Sequence, residues 1–289
     1  MQFAVDIPNY GPANARGPSF ADPHFVAELA YEAEQAGWDG FFIWDHIGAG
    51  WPVVLSDVWL MLAAVALRTA SLRLGPMVTP LPRRRPWKLA REVATLDRLS
   101  RGRLTLGVGI GAGDEYSSFG EPGDDRAHGE MLDEGLAVLS GLLSGEPLSY
   151  TGAHYRVANA RFLPPPAQPR VPIWVAGVWP NKKPFRRAAA WDGAFPIGRG
   201  LPETEQMPPE DLRAVAEYVR SQRPAERQAQ PYDLVHAGIT AGRDAAADRD
   251  LAEQYAAAGV TWWLENFNND RGPIEEQRAR IRKGPPRLS

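Results

Sequence analysis

The chain has 289 residues, 44% of them hydrophobic, and a formal net charge of −3 at neutral pH. That length supplies one large core, and that charge gives no general attraction to nucleic acid or to an anionic membrane surface. The absence of cysteine excludes disulfides, zinc–cysteine sites and thiol catalysis, and is consistent with the cytoplasm.

Read from its first residue, the sequence shows no basic segment followed by an apolar run, so no signal peptide is expected. Apolar runs predict strands at 3–7, 39–44, 72–79, 104–110, 172–176, 193–197, 232–238 and 260–265. Helical stripes lie between most of them. Phe25, Leu29, Ala33 and Ala36 form the first, ended by Gly37. Residues 57–70 form a second, apolar on more than one face, whose longest apolar stretch (58–67) is too short to span a bilayer. Leu89, Val93, Leu96 and Leu99 follow, with Pro86 near the start and Gly102 beyond the end. Further stripes cover 131–143, 212–219 and 251–258. Strands alternating with helices predict an α/β chain, a single (β/α)8 TIM barrel over 1–289. Two segments interrupt the alternation, at 112–125 after the fourth strand and at 148–170 before the fifth, and their length suggests insertions with functional surfaces.

A parallel barrel places reactive groups at the carboxyl ends of its strands. Asp45 and His46 end the second strand, where a histidine could relay a proton or serve as a structural loop residue. Glu115 follows the fourth strand and Glu265 ends the eighth; each reads as an acid or as a polar anchor. Arg83, Arg84 and Arg85 read as a solvated turn or as an anion contact. After the fifth strand, the turn 177–183 offers glycine, Asn181 as a helix cap, and two lysines, the makings of a phosphate cradle. Trp44, Trp179, Trp262 and Trp263 lie near strand ends, where several could gather around a flat cofactor. The run Gly107-Val108-Gly109-Ile110-Gly111 is not followed by the helix that a dinucleotide fingerprint needs, and suggests instead close approach of a flat ligand. The five histidines show no metal-ligand spacing.

In several passages the chain resembles the bacterial luciferase-like superfamily of flavin-dependent oxidoreductases. They are Ala36-Gly37-Trp38-Asp39-Gly40 with Trp44-Asp45-His46, the run Val78-Thr79-Pro80-Leu81-Pro82-Arg83-Arg84-Arg85-Pro86 with its helix 89–100, Gly107–Gly111, and Trp191-Asp192-Gly193. The match covers nearly the whole chain in order, and the third-strand passage with its helix is the most specific part. The resemblance implies a TIM barrel that binds FMN or the deazaflavin coenzyme F420 at the strand ends, with His46 near the isoalloxazine. It also implies a non-proline cis peptide at Met77–Val78 and a phosphate held by the turn after the fifth strand. There Trp179-Pro180-Asn181 stands where the family commonly has a small Gly/Ser-rich turn.

The expected assignment follows. His46 and Glu115 are catalytic; Trp44, Asp45, Met77, Val78, Thr79, Gly109, Gly111, Gly177, Trp179, Asn181, Lys182 and Arg186 bind the cofactor; no metal takes part. The activity is oxidoreduction of a small organic substrate, by monooxygenation with reduced FMN or by deazaflavin hydride transfer, in a homodimer. The alternative is a non-catalytic flavin-binding or stress protein on the same fold.

Overall fold

The computed structural model describes residues 1–14, 17–48, 52–202 and 204–288. The eight expected strands are present: β1 (Gln2–Ile7), β2 (Gly40–Ile43), β3 (Arg73–Pro76), β4 (Leu106–Gly109), β5 (Ile173–Trp179), β6 (Gly193–Gly198), β7 (Asp233–Gly238) and β8 (Trp262–Asn266). They pair in parallel in the order β3-β2-β1-β8-β7-β6-β5-β4, and the short strand Thr79–Pro80 continues the path of β3 along the far edge of β4. The ring closes where Leu74 of β3 bridges Leu104. Gly75 is required at this closure, because a Cβ there would lie 1.8 Å from the Thr105 carbonyl oxygen.

The helices are α1 (Pro23–Gln35), α2 (Val58–Arg68), α3 (Pro86–Leu99), α4 (Asp125–Leu143), α5 (Lys182–Ala188), α6 (Pro209–Gln222), α7 (Ala245–Ala257) and α8 (Ile274–Arg282). α3 shows why these segments coil. Pro86 occupies the first turn, where its missing N–H costs nothing; Leu89, Val93 and Leu96 make one buried stripe; and Gly102, at φ +82°, follows the C-terminus. α5 follows the turn at 177–183 where a helix was expected, whereas α8 has no such stripe and was not expected from the sequence. α8 buries only Gln277 and Ile281, and is held to α1 by Arg278 and Arg282, which donate to Glu32 at 2.7 and 2.5 Å.

Two apolar layers result. Ala4, Phe42, Met77, Trp174, Phe195, Val235, Trp262 and Leu264 fill the barrel, with the Phe42 and Trp174 rings 5.3 Å apart and the Trp174 and Trp262 rings 5.4 Å apart. The larger layer lies between strands and helices. Each fully buried large apolar side chain contributes roughly 1.5–3 kcal/mol.

Among the described strands, β6 and β7 part above their first pairs. β6 and β7 pair only at Gly193–Asp233 and Ala194–Leu234. β6 stays paired with β5 up to Gly198, and β7 with β8 up to Gly238, so the upper halves of β6 and β7 separate from each other alone.

The two insertions differ. Residues 148–170 contain the antiparallel hairpin Leu148–Thr151 and Arg156–Ala160, braced by Gln168 on Asp97 and on the Leu104 carbonyl at the start of β4. None of this segment lines the principal cavity, so the expected functional surface is not at the site. Residues 112–125 carry the helical turn Asp114–Ser117, which brings Glu115 to the cavity.

Candidate active site

A cavity of about 1090 Å³ opens at the carboxyl ends of the strands. Met77, Val78, Ala176 and Phe195 give it an apolar wall and base, and the Met77–Val78 peptide is cis, as the resemblance implied. His46 also lines it, half-buried, with Trp44 beside it at a ring separation of 6.2 Å.

His46 is fixed on two sides. Asn9, fully buried, accepts from the His46 N–H through Oδ1 at 3.2 Å and donates through Nδ2 to the His46 carbonyl at 2.8 Å. Nδ1 of the His46 ring lies 3.2 Å from Glu115 Oε1, which also accepts from the Ile47 N–H at 2.8 Å and the Gly48 N–H at 3.1 Å. The other Glu115 oxygen accepts from Arg83. The same guanidinium donates to the Asp45 backbone oxygen and carboxylate, at 2.8 and 3.0 Å. Arg84 donates to both Asp45 oxygens at 2.9 and 2.8 Å, and the Thr79 hydroxyl donates to Asp45 at 2.7 Å.

Burial by itself raises the Glu115 carboxyl, but the His46 hydrogen bond, the Arg83 charge and the Ile47 N–H outweigh it and lower the group to about 2. Glu115 is therefore a carboxylate at neutral pH and accepts a proton bond from His46 Nδ1–H. That bond orients the imidazole ring at the cavity wall.

The structure brings together most of the expected residues and separates others. Trp44, Asp45, His46, Met77, Val78, Gly109, Gly111, Glu115, Gly177, Asn181 and Lys182 line the cavity. Thr79, Trp179 and Arg186 do not. Thr79 is fully buried against Asp45; Trp179 faces the helix layer, 5.4 Å from the Phe185 ring; and Arg186 is exposed on α5. Arg83 and Arg84 belong neither to a solvated turn nor to an anion site, because Asp45 and Glu115 occupy them. Of the four tryptophans only Trp44 lines the cavity, donating from Nε1 to Asp6 Oδ2 at 2.9 Å. Trp262 fills the barrel and Trp263 the helix layer.

Two of the lining glycines also sit in tight internal contacts. A Cβ on Gly109 would meet Val78 Cγ2 at 2.9 Å, and one on Gly177 would meet Pro184 Cβ at 2.3 Å. Both permit close packing within the protein. Asn181 stands at the N-cap position of α5 as expected, but its side chain makes no capping hydrogen bond; its Oδ1 accepts from Arg199 at 2.6 Å instead. Glu265 is an anchor, fully buried and bonded to Thr240, Trp263 and Arg271.

One rim of the cavity is cationic. Lys182 places Nζ 3.6 Å over the Trp179 ring and 4.6 Å from that of Tyr218, a cation–π seat. Arg126 pairs with Glu130 at 3.1 Å, and Arg187 with Asp133. Lys183 is exposed and makes no ion pair among the described residues. Sequence reasoning missed Asn9, Asp6 and His236, all placed against His46 or the cavity. Asp6 had a signal, the end of β1, while Asn9 and His236 had none.

A family profile described as Luciferase-like monooxygenase matches residues 1–286. The chain is 33% identical over 192 residues to 4-hydroxyprotoasukamycin monooxygenase of Streptomyces nodosus subsp. asukaensis, covering 65% of this chain and 50% of the relative. It is 36% identical over 163 residues to an F420-dependent glucose-6-phosphate dehydrogenase of Beutenbergia cavernae, covering 53% and 47%. The chain thus spans about half the length of these curated relatives. Among solved structures, a monooxygenase from Streptomyces bottropensis superposes with a TM-score of 0.75 at 22% identity, over 98% of this chain and 97% of the other.

Proposed function

The chain belongs to the luciferase-like monooxygenase family, and from that premise we propose that it is a flavin-type oxidoreductase acting on a small organic substrate with FMN or the deazaflavin coenzyme F420. The observation that supports this best is the His46–Glu115–Arg83 chain on the wall of a large, partly apolar cavity at the catalytic end of a barrel. The residues present fit such a cofactor: a flat apolar wall at Met77, Val78 and Ala176 suits a tricyclic ring, and the rim at Lys182 and Lys183 suits an anionic tail. When bound, that cofactor supplies the redox chemistry. The protein positions and excludes water, and it handles the proton. His46, with Nδ1 committed to Glu115, accepts or returns a substrate proton at Nε2. Glu115 acts through His46, as a positioning residue, and Asp45 holds the two arginines that fix Glu115 and the strand end. The cationic charge near the tail comes from Lys182 and Lys183; Arg186 stands off the cavity.

A homodimer is part of the same proposal. α2 buries Met61, Leu62 and Val65 but leaves Leu60 72% and Leu67 74% exposed, one heptad apart on one face.

Absorption titration of the protein with FMN and with F420, followed by turnover of wild type and His46→Ala, tests this reading. Binding with His46-dependent turnover supports the enzyme; binding with no turnover over a broad panel of small alcohols, ketones and alkanes would favour a flavin carrier.

A further inference from the structure

The barrel's inner face continues past its filled core along β5 and β6. Ala176 pairs with Phe195 at the top of that core, and two residues on Val178 pairs with Ile197. Residues two apart on a strand share a face, so the second pair stands above the first on the cavity side. Trp179 takes the other face, against the Phe185 ring of α5 at 5.4 Å. Leu201 joins the pair. Its N–H donates to the Gly198 carbonyl at 3.4 Å, and a Cβ on Gly198 would stand 2.2 Å from Leu201 Cδ1. The loop that carries Leu201 is tied down further on, where Gln206 accepts from the Ile239 N–H and the Tyr255 hydroxyl donates to the Met207 carbonyl, both at 2.8 Å.

All three side chains line the cavity, yet Val178 is 36%, Ile197 43% and Leu201 38% exposed. A lone exposed leucine needs no occupant, but adjoining apolar side chains inside a cavity mark a surface that a ligand covers. The charges around the cavity say which kind. Among the described lining residues the lysines and arginines all come from α4 and α5: Arg126, Lys182, Lys183 and Arg187. The two lysines serve the coenzyme tail in the reading above, and the two arginines pair with Glu130 and Asp133. Arg199, next to the shelf, donates to Asn181 and does not line the cavity. Glu205, on the loop after β6, adds a negative charge on the shelf side, which disfavours an anion there.

β6 lies four strands from β2 in either direction round the closed ring, so the shelf faces, across the cavity mouth, the strand that leads to His46. Resting on the oxidoreductase reading, we propose that Val178, Ile197 and Leu201 form a substrate subsite for the uncharged alkyl or aryl arm of a molecule whose reacting group lies at His46. The shelf holds that arm by its apolar area and sets which substrates are accepted: a chain or ring fits, and a phosphorylated sugar does not.

The test is calorimetric titration of the whole protein, with and without coenzyme, by straight-chain methyl ketones from 2-butanone to 2-nonanone. We expect affinity to rise about fourfold for each methylene that reaches the shelf, the worth of burying one such group. Ile197→Ser and Leu201→Ser should each flatten that gradient, weakening 2-nonanone about tenfold while leaving 2-butanone and both coenzymes unaffected. A gradient absent in wild type overturns the subsite, and this result stands even if the variants fold poorly. A gradient that both variants leave intact puts the arm elsewhere and overturns it too. So does a loss of FMN or F420 binding in folded variants, which would give the shelf to the coenzyme. Coenzyme titrations of wild type separate the two claims. Absence of any coenzyme binding would defeat the oxidoreductase reading, whereas coenzyme binding with no ketone gradient would defeat only the subsite.

Discussion

His46 Nδ1 and Glu115 Oε1 meet at 3.2 Å across 69 residues of sequence. The segment after β2 carries one and the helical turn after β4 carries the other, and Arg83, following β3, ties Glu115 to Asp45. Three consecutive strand ends thus converge on one imidazole. The pair orients the ring, and the Asn9 side chain separately holds the backbone beneath it.

That division of labour predicts that His46→Ala lowers turnover about 10²-fold or more, the range of a lost general acid–base group, while the melting temperature moves little. Kinetics and calorimetry on the same preparation check it. A folded variant with unchanged turnover removes His46 from the chemistry.

Glu115 carries a pH signature. Folding holds its carboxyl at about 2, below the ordinary 4.5, so the stability that it contributes is complete above 4.5 and is lost as pH falls through about 2. Urea unfolding from pH 6 to pH 3 should show a decline in wild type that is shallower in Glu115→Gln. At pH 7 the variant should be less stable by roughly 2 kcal/mol, below the 3–5 kcal/mol for an orphaned buried charge because Arg83 keeps Asp45. Parallel pH profiles would show that Glu115 is not held as described.

Barrel closure predicts a contrast between two glycines. Gly75→Ala would force a Cβ to 1.8 Å from the Thr105 oxygen, whereas a Cβ on Gly113 meets nothing within 4 Å. Gly75→Ala should cost roughly 3 kcal/mol or more, or fail to fold, and Gly113→Ala should stay within about 0.5 kcal/mol of wild type by denaturant unfolding. Similar values for the two would contradict the closure.

The alternation of strands and helices was legible because each unit carries its own punctuation, as Pro86 and Gly102 do around α3. The direction of side chains was not. Trp262 and Trp263 are adjacent in a continuous apolar strand, yet one fills the barrel and the other the helix layer. A strand buried on both faces gives no polar alternation to fix its register. The same limit hid His236. Arg83 and Arg84 read as free cations because the carboxylates they hydrogen-bond, Asp45 and Glu115, stand 32 to 39 residues away. α8 escaped because its attachment is ionic, through Glu32, rather than an apolar stripe.

For the exposed face of α2, sedimentation should show a dimer at micromolar concentration that Leu60→Glu with Leu67→Glu converts to monomer without unfolding. A wild-type monomer under those conditions would refute the interface.

Should the anionic tail lie at the α5 rim, Lys183→Ala should weaken FMN binding about tenfold or more, the value of one charge-assisted contact, and leave riboflavin unaffected. Arg84→Ala, which loosens Asp45, should affect both ligands alike. A loss confined to FMN in Arg84→Ala alone would move the phosphate beside β3.

The most direct test of the central claim is an equilibrium absorption and fluorescence titration of the purified chain with FMN and with F420, each free of substrate. The account predicts saturable binding of at least one coenzyme at one site per chain, perturbed by Val78→Trp, which fills the apolar wall. Absence of saturable binding by either, in protein shown to be folded, would contradict it.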